Sequence, residues 1–376
     1  ANVNTPGYSR QTVVLQTVQG QFTGGGYIGK GVDVQTILRN QSELLTRQSA
    51  AAGSTQAADI VRSERLRQLQ EVFSGGTAGL GAAINDMMNA FSDVVTSPTD
   101  ITARTVVLTR LDETAARMRT AGERLNELQY TVTEQLESSV TAINALAKQM
   151  AGINEQIARA NGNGQSPNDL LDQRDQIIRD INQYVQTTQI PADDGTVGLF
   201  VAGSQPLVLG TTASSLSIDD ATQFPASGQI KLFFNRPGAP PVEMDENVLG
   251  GGSVSGLLRF NNNDLTEGRN LLGRMAMAIG MTMNDQQNLG LTLDGVPGTD
   301  LFSLPASMPG YTNGAGVGTV SFTGPTQFAA SDYEIRFTTG TAGQVVRLSD
   351  GKATPFTDAA NLTTLQIDGP NFNLTT

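Results

Sequence analysis

The chain has 376 residues, 38% of them hydrophobic, and a formal net charge of −12. It contains no cysteine, histidine or tryptophan, which removes disulfides, thiolate nucleophiles, soft metal sites, the commonest general base and the usual zinc ligand. Carboxylate, lysine and Ser-Lys chemistry survive that cut, while the acidic balance argues against nucleic acid or an anionic membrane surface as the main partner.

The length suits two or three domains. No apolar run approaches the ~20 residues that a bilayer demands. The polar start at residues 1–4 does not read as a cleavable leader, so the expectation is a trimmed start or an export route that cleaves nothing. Residues 1–184 hold 3 prolines and 16 glycines, with 16 basic and 19 acidic side chains. Residues 185–376 hold 12 prolines and 25 glycines, with 8 basic and 17 acidic side chains. Proline and glycine are kept out of helix interiors, so the first half reads as helical and the second as strands and loops with an acidic, soluble surface.

In chain order, residues 1–34 form an extended segment broken by glycines 24–26, Gly29 and Gly31. A helical core covers 35–184. Its first helix spans 35–73 and is closed by Gly75 and Gly76; its second, 80–95, stops before Ser97-Pro98. A long helix from 99 to 160 carries apolar residues at Leu125, Leu128, Val132, Leu136, Val140, Ile143, Leu146, Met150, Ile153 and Ile157. The mean step is about 3.56 residues, between the coiled-coil repeat and the ideal helix. At 1.5 Å per residue a helix of ~60 residues is about 90 Å long, which implies an elongated molecule. A break near Gly122 would shorten it, though the stripe on either side stays in phase. The stripe reads as a surface for helix packing and assembly, covered by other copies.

After the turn at 161–164 a shorter helix has start chemistry in Ser166, Pro167 and Asp169, with Leu170, Leu171, Ile177, Ile178 and Ile181 on its buried side. Residues 185–260 change to β-type runs at 198–201, 206–209 and 229–234. Helix returns over 261–292, with Asp264 and Glu267 as its cap and Leu265, Leu272, Met275, Ile279 and Met283 as its stripe. Residues 293–376 read as an outer all-β domain with strands at 318–322, 333–337 and 345–348, ending before the fold closes. The predicted class is multidomain α + β: a long-helix bundle core, a β excursion and a separate outer β domain.

Few residues invite a chemical reading. Asp169, Asp172 and Asp175 share a helix, but steps of three drift around it, and Arg174 and Arg179 are at hand as partners; the expectation is a solvated, salt-bridged face rather than a metal site. Glycines 24–26 and 250–252 lack the strand-turn-helix context and the following Gly-Lys-Ser/Thr of phosphate loops, and read as loop or hinge. Residues 294–300 lack the alternating acidic ligands and terminal Glu of a calcium loop. Met275, Met277, Met281 and Met283 read as adaptable packing. No carboxylate pair stands out as an acid/base couple. No catalytic, cofactor-binding or metal-ligating residue is assigned, and no cofactor is expected.

The opening residues Asn2, Asn4, Thr5, Pro6, Gly7, Tyr8, Ser9 and Arg10 resemble the motif shared by axial proteins of the bacterial flagellum. Further segments narrow the resemblance to the hook-associated proteins at the first junction between hook and filament. They are 29–34, Ser97-Pro98-Thr99-Asp100 followed by Arg104, the run Asn168-Asp169-Leu170-Leu171-Asp172-Gln173-Arg174-Asp175, Gly256-Leu257-Leu258-Arg259-Phe260, and 295–302. The run at 168–175 is the most specific of these, and 303–376 is covered only loosely.

This resemblance implies a flagellin-like helical core and a structural role, with subunits forming a ring at the hook tip. It implies export unfolded through the flagellar secretion apparatus without a cleaved signal, and an extracellular location in the flagellum. It also implies terminal helices beyond this chain, at both ends, that pair with each other. The partners it implies are other copies, the hook protein below, the next junction protein above, and the export apparatus with a chaperone bound in a C-terminal part. Nucleic acid, membrane and small-molecule ligands are not among them. Two rival readings stand beside it: an extracellular adhesin or binding module using the outer β domain, and a hydrolase working through Asp169 and Asp172.

Overall fold

The computed structural model describes residues 7–22, 24–73, 75–162, 167–220, 227–312, 317–365 and 367–375. Asn2, Asn4, Thr5, Pro6 and the expected cap Ser166 lie outside the described residues. The chain opens with strand β1 (Gln11–Thr17), a short pair β2 (Gln21–Phe22) and β3 (Tyr27–Ile28), and β4 (Val32–Arg39), with β1 and β4 antiparallel. The first helix, α1 (Glu43–Val72), therefore starts eight residues later than the sequence suggests. The β-branched residues Val32, Val34, Thr36 and Ile37 find a partner strand, and pairing outweighs the local helical pattern.

Helices α2 (Leu80–Thr96), α3 (Ile101–Gly162) and α4 (Asn168–Tyr184) follow. The 62 residues of α3 run without interruption through Gly122. Next come β5 (Thr187–Pro191), β6 (Val197–Val201), β7 (Gln205–Leu209) and β8 (Thr212–Ala213) in one antiparallel sheet of that order. Strands β9 (Ser215–Asp220), β10 (Ile230–Asn235) and β11 (Val242–Met244) form another, with β10 central.

The returning helix begins earlier than expected. Helix α5 (Ser253–Arg259) passes through a π-helical segment, Phe260–Leu265, into α6 (Thr266–Asn288). Asp264 is thus no cap; the chain enters α6 from Leu265, whose backbone is already helical. The wide turn aims two buried amides sideways. Asn262 accepts from Ile230 N–H and donates to Ile230 O, both at 2.9 Å, and Asn261 donates to Gly228 O at 2.8 Å. Beyond α6 lie β12 (Ser307–Gly310), β13 (Val317–Phe322), β14 (Tyr333–Phe337), β15 (Gly343–Arg347), β16 (Ala353–Phe356) and β17 (Pro370–Thr375), in two sheets ordered β12-β13-β17 and β14-β15-β16.

The chain divides into two compact units that do not follow the linear segmentation. One holds residues 1–63, 134–219 and 231–259; the other holds 64–133, 220–230 and 260–376. In the first unit, asparagines fix both of these sheets onto the second half of α3. Asn144 accepts from Leu216 N–H (2.7 Å) and donates to Leu216 O (2.9 Å). Asn154, fully buried, donates to Val197 O (3.0 Å) and Gly210 O (2.8 Å). A side-chain amide presents the same donor and acceptor as a peptide group, so it docks a strand on a helix without leaving buried backbone unpaired.

Glycines 250–252 mark a backbone contact rather than a phosphate loop: Gly252 N–H donates to Ser54 O (2.7 Å) and Gln186 N–H to Gly251 O (3.0 Å). One turn on, a Cβ at Gly256 would stand 2.3 Å from Ala58 O, so only glycine lets α5 lie this close to α1. In the second unit, Met87, Ala90, Val107 and Leu111 form a core with Ile279, Met283, Leu301 and Phe302 packed against it. The sheets β12-β13-β17 and β14-β15-β16 have their own core of Val345, Phe356, Leu362, Ile367 and Phe372.

Candidate assembly site

Nine of the ten stripe residues on α3 are buried within this single chain; Leu146 is half-buried, and Ala147 is buried beside it. The β9 sheet bonded to Asn144 lies beside Ile143, the β6 sheet bonded to Asn154 lies beside Ile153, and Gly195 approaches Ile157. In the other unit Arg269 of α6 bonds Asn126 (2.7 Å), between Leu125 and Leu128. The expectation that other copies cover this seam is therefore corrected. The stripe is the chain's own core, because the β excursion and α6 fold back over it.

The family-like motifs meet elsewhere. Ser9 N–H donates to Asp172 Oδ2 at 3.1 Å. Arg39, at the end of β4, donates to Ser9 Oγ (3.3 Å) and pairs with Asp172 (2.8 Å) and Asp175 (2.6 Å). Arg174 stands 3.6 Å from Asp175 and donates to Gly195 O at 3.0 Å. Burial pulls the Arg174 guanidinium below its usual value, with the Asp175 charge opposing. Asn168 donates to Ile37 O (2.9 Å), and Asn40 N–H to Arg10 O (2.7 Å). Gly7, at φ +83°, lies against Arg179 and Gln176.

Two segments read separately in the sequence, 7–10 and 168–175, are thus the two sides of one clamp. Asp172 and Asp175 are 8% and 7% exposed, so the expected solvated face is wrong for them. Asp169 is exposed, Leu170 and Leu171 are half-buried, and Tyr8 and Arg10 are exposed. The partner that sequence reasoning missed is Arg39, more than 130 residues away in the chain. Its only local signal is a cation directly after the apolar pair Ile37-Leu38 that ends the strand.

The clamp anchors an arm with two unlike faces. β1 is regular, so Val13, Leu15 and Thr17 share a side. Their register partners Ile37, Val34 and Val32 share it too, because the irregularity between Val14 and Leu15 leaves Gln35 of β4 unpaired. Without that bulge Gln35 and Asp33 would take those places. The resulting apolar face is uncovered: Val13, Leu15, Val32, Val34 and Ile37 are between 40% and 61% exposed.

Among the described residues no cluster of three acidic side chains makes a metal-sized site, and no helix is long and apolar enough to cross a membrane. Two shallow depressions among the described residues are an open groove beside Arg65, Glu71, Arg124 and Glu127, and one lined by Thr323, Gln327, Thr363 and Asn371.

Comparison with known proteins decides the family. The model of the flagellar hook-associated protein FlgK helical domain matches residues 66–302. This chain belongs to the FlgK family. FlgK relatives include flagellar hook-associated protein 1 of Salmonella typhimurium, 32% identical over 374 residues, covering 98% of this chain and 67% of the relative. The Escherichia coli protein of that name is 30% identical over 366 residues, covering 96% of this chain and 66% of its own. The structure of the flagellar hook junction protein FlgK from Burkholderia pseudomallei superposes with a TM-score of 0.78 at 26% identity, over 88% of this chain and 60% of that one. The chain thus spans about two thirds of the length of its curated FlgK relatives. FlgK proteins are structural components of the flagellum, not enzymes, and the long-helix core with separate antiparallel sheets is their fold.

Proposed function

We propose that this chain is a structural subunit of the junction between flagellar hook and filament, assembling with further copies into a ring that adapts one helical polymer to the next. The observation that carries the reading is the arm. A two-stranded ribbon is marginal in water on its own, yet this one turns five apolar side chains to solvent on one face and is tied to α4 at its base by two ion pairs. Such a face calls for a protein surface to cover it. The hook protein below, the next junction protein above, and export without a cleaved signal, assisted by a chaperone, are further parts of this proposal, with membership of the FlgK family as their support. The adhesin reading finds no support among the relatives, all of which are flagellar hook-associated proteins.

The test is genetic. A strain lacking the protein should build hooks that carry no filament in electron micrographs, and the wild-type gene should restore filaments. Normal filaments on such a strain would overturn the proposal.

A further inference from the structure

Exposed large apolar residues concentrate in two places. One is the arm. The other is one end of the helical bundle in the second unit, beyond the core of Met87, Ala90, Val107 and Leu111. There the adjoining ends of α2 and α3 expose Val95, Ile101 and Leu108, and the loop after α6 exposes Leu289, Leu291 and Leu293, all between 54% and 81%. The loop is closed by Thr292 N–H to Val296 O (2.8 Å) and Gly298 N–H to Gly290 O (3.0 Å), so its leucines sit on a formed turn.

The two surfaces differ in charge. The arm carries Arg10 and Lys30 against Asp33 alone, Arg39 being neutralised by Asp172 and Asp175. It is a basic element on a chain of net charge −12. The bundle end carries exposed Asp93, Asp100, Asp285, Asp294 and Asp300, with Arg104 half-buried and donating to Pro98 O. Two apolar patches of opposite charge on one chain are complementary, whereas either patch facing its own copy would bring like charges together.

We propose that the apolar face of the β1–β4 arm docks on the α2–α3 turn and the 289–298 loop of a second copy. The contact is heterologous, so each copy gives one surface and receives the other, the type that builds rings or helical polymers rather than closed pairs. This inference rests on the self-assembly reading above and names its two surfaces.

Because the chain has no cysteine, single thiols can be placed without background. Leu15→Cys and Leu291→Cys, and as a second pair Val34→Cys and Leu293→Cys, are purified separately with tags of different size and oxidised alone or mixed. The expected result is a disulfide-linked heterodimer in each mixture, at least tenfold above the homodimer from either variant alone. Lys30→Glu, at an exposed position, should lower that yield severalfold, and the loss should shrink at high salt. Arm-to-arm homodimers as the main product would overturn the proposal. So would absent heterodimers in a protein whose sedimentation still shows self-association, an outcome that leaves the assembly reading standing. No association at the highest soluble concentration would overturn both.

Discussion

At the scale of single residues, the clamp and the asparagines follow one rule: a buried polar group is tolerated only when its partner is supplied. Arg39 is the sharpest case, because it alone bridges both buried carboxylates of α4 and also reaches Ser9. Arg39→Met keeps the aliphatic stem and leaves two carboxylates without that countercharge. We expect a loss of about 3–5 kcal/mol from the clamp, read as faster amide exchange across β1 and β4 while α3 stays protected. Combining it with Asp172→Asn and Asp175→Asn should recover part of the loss, since the charges that needed Arg39 are then gone. Unchanged exchange in β4 would show that the clamp does not hold the arm.

At the scale of elements, α3 and the outer sheets make opposite cases. Helix α3 keeps Gly122 in its interior, where a Cβ would meet nothing nearer than Leu272 at 4.0 Å. Gly122→Ala should therefore raise stability by roughly 0.5–1 kcal/mol through the unfolded chain's lost freedom and better helix propensity, measured as a higher urea midpoint with unchanged slope.

In the outer sheets, Tyr333 on β14 donates to Asp368 at 3.0 Å, and Arg347 bonds the same oxygen at 2.8 Å. Burial first, and then the bond to Asp368, push the Tyr333 phenol up from its ordinary value. The folded protein holds that proton longer than the unfolded chain does. Its contribution to stability is complete below about pH 10, the unfolded value, and fades as pH climbs through the folded value. An ultraviolet titration should show one of the six tyrosines ionising after the rest, together with loss of near-ultraviolet circular dichroism. Tyr333→Phe should remove that late step.

At the scale of the molecule, the correction on the α3 stripe changes where assembly is sought. Nine buried side chains on that stripe, each worth ~1.5–3 kcal/mol of burial, hold the chain together rather than joining copies. The apolar surfaces left for neighbours include the arm and the bundle end around Val95, Ile101 and Leu291. Leu15→Lys with Val34→Lys should leave the helical circular dichroism unchanged, since both side chains already face solvent. It should abolish concentration-dependent sedimentation, and persistence of that association would move the interface elsewhere.

The chain by itself determined the helices whose apolar period is long and uninterrupted, the strands bounded by proline and glycine, and the family-like segments at 7–10 and 168–175. These depend on local periodicity and on residue identity, which sequence carries directly. Only tertiary structure decided that β4 replaces the start of α1, that α6 is entered through a π-helical segment, and that the stripe is covered from within. It also decided that Asp172 and Asp175 are buried beneath Arg39, and that a single bulge gathers Val32 and Val34 onto one face of the arm. Each of these rests on which distant segment comes to lie alongside. That choice is made by the sum of many weak contacts, and no window of neighbouring residues contains it.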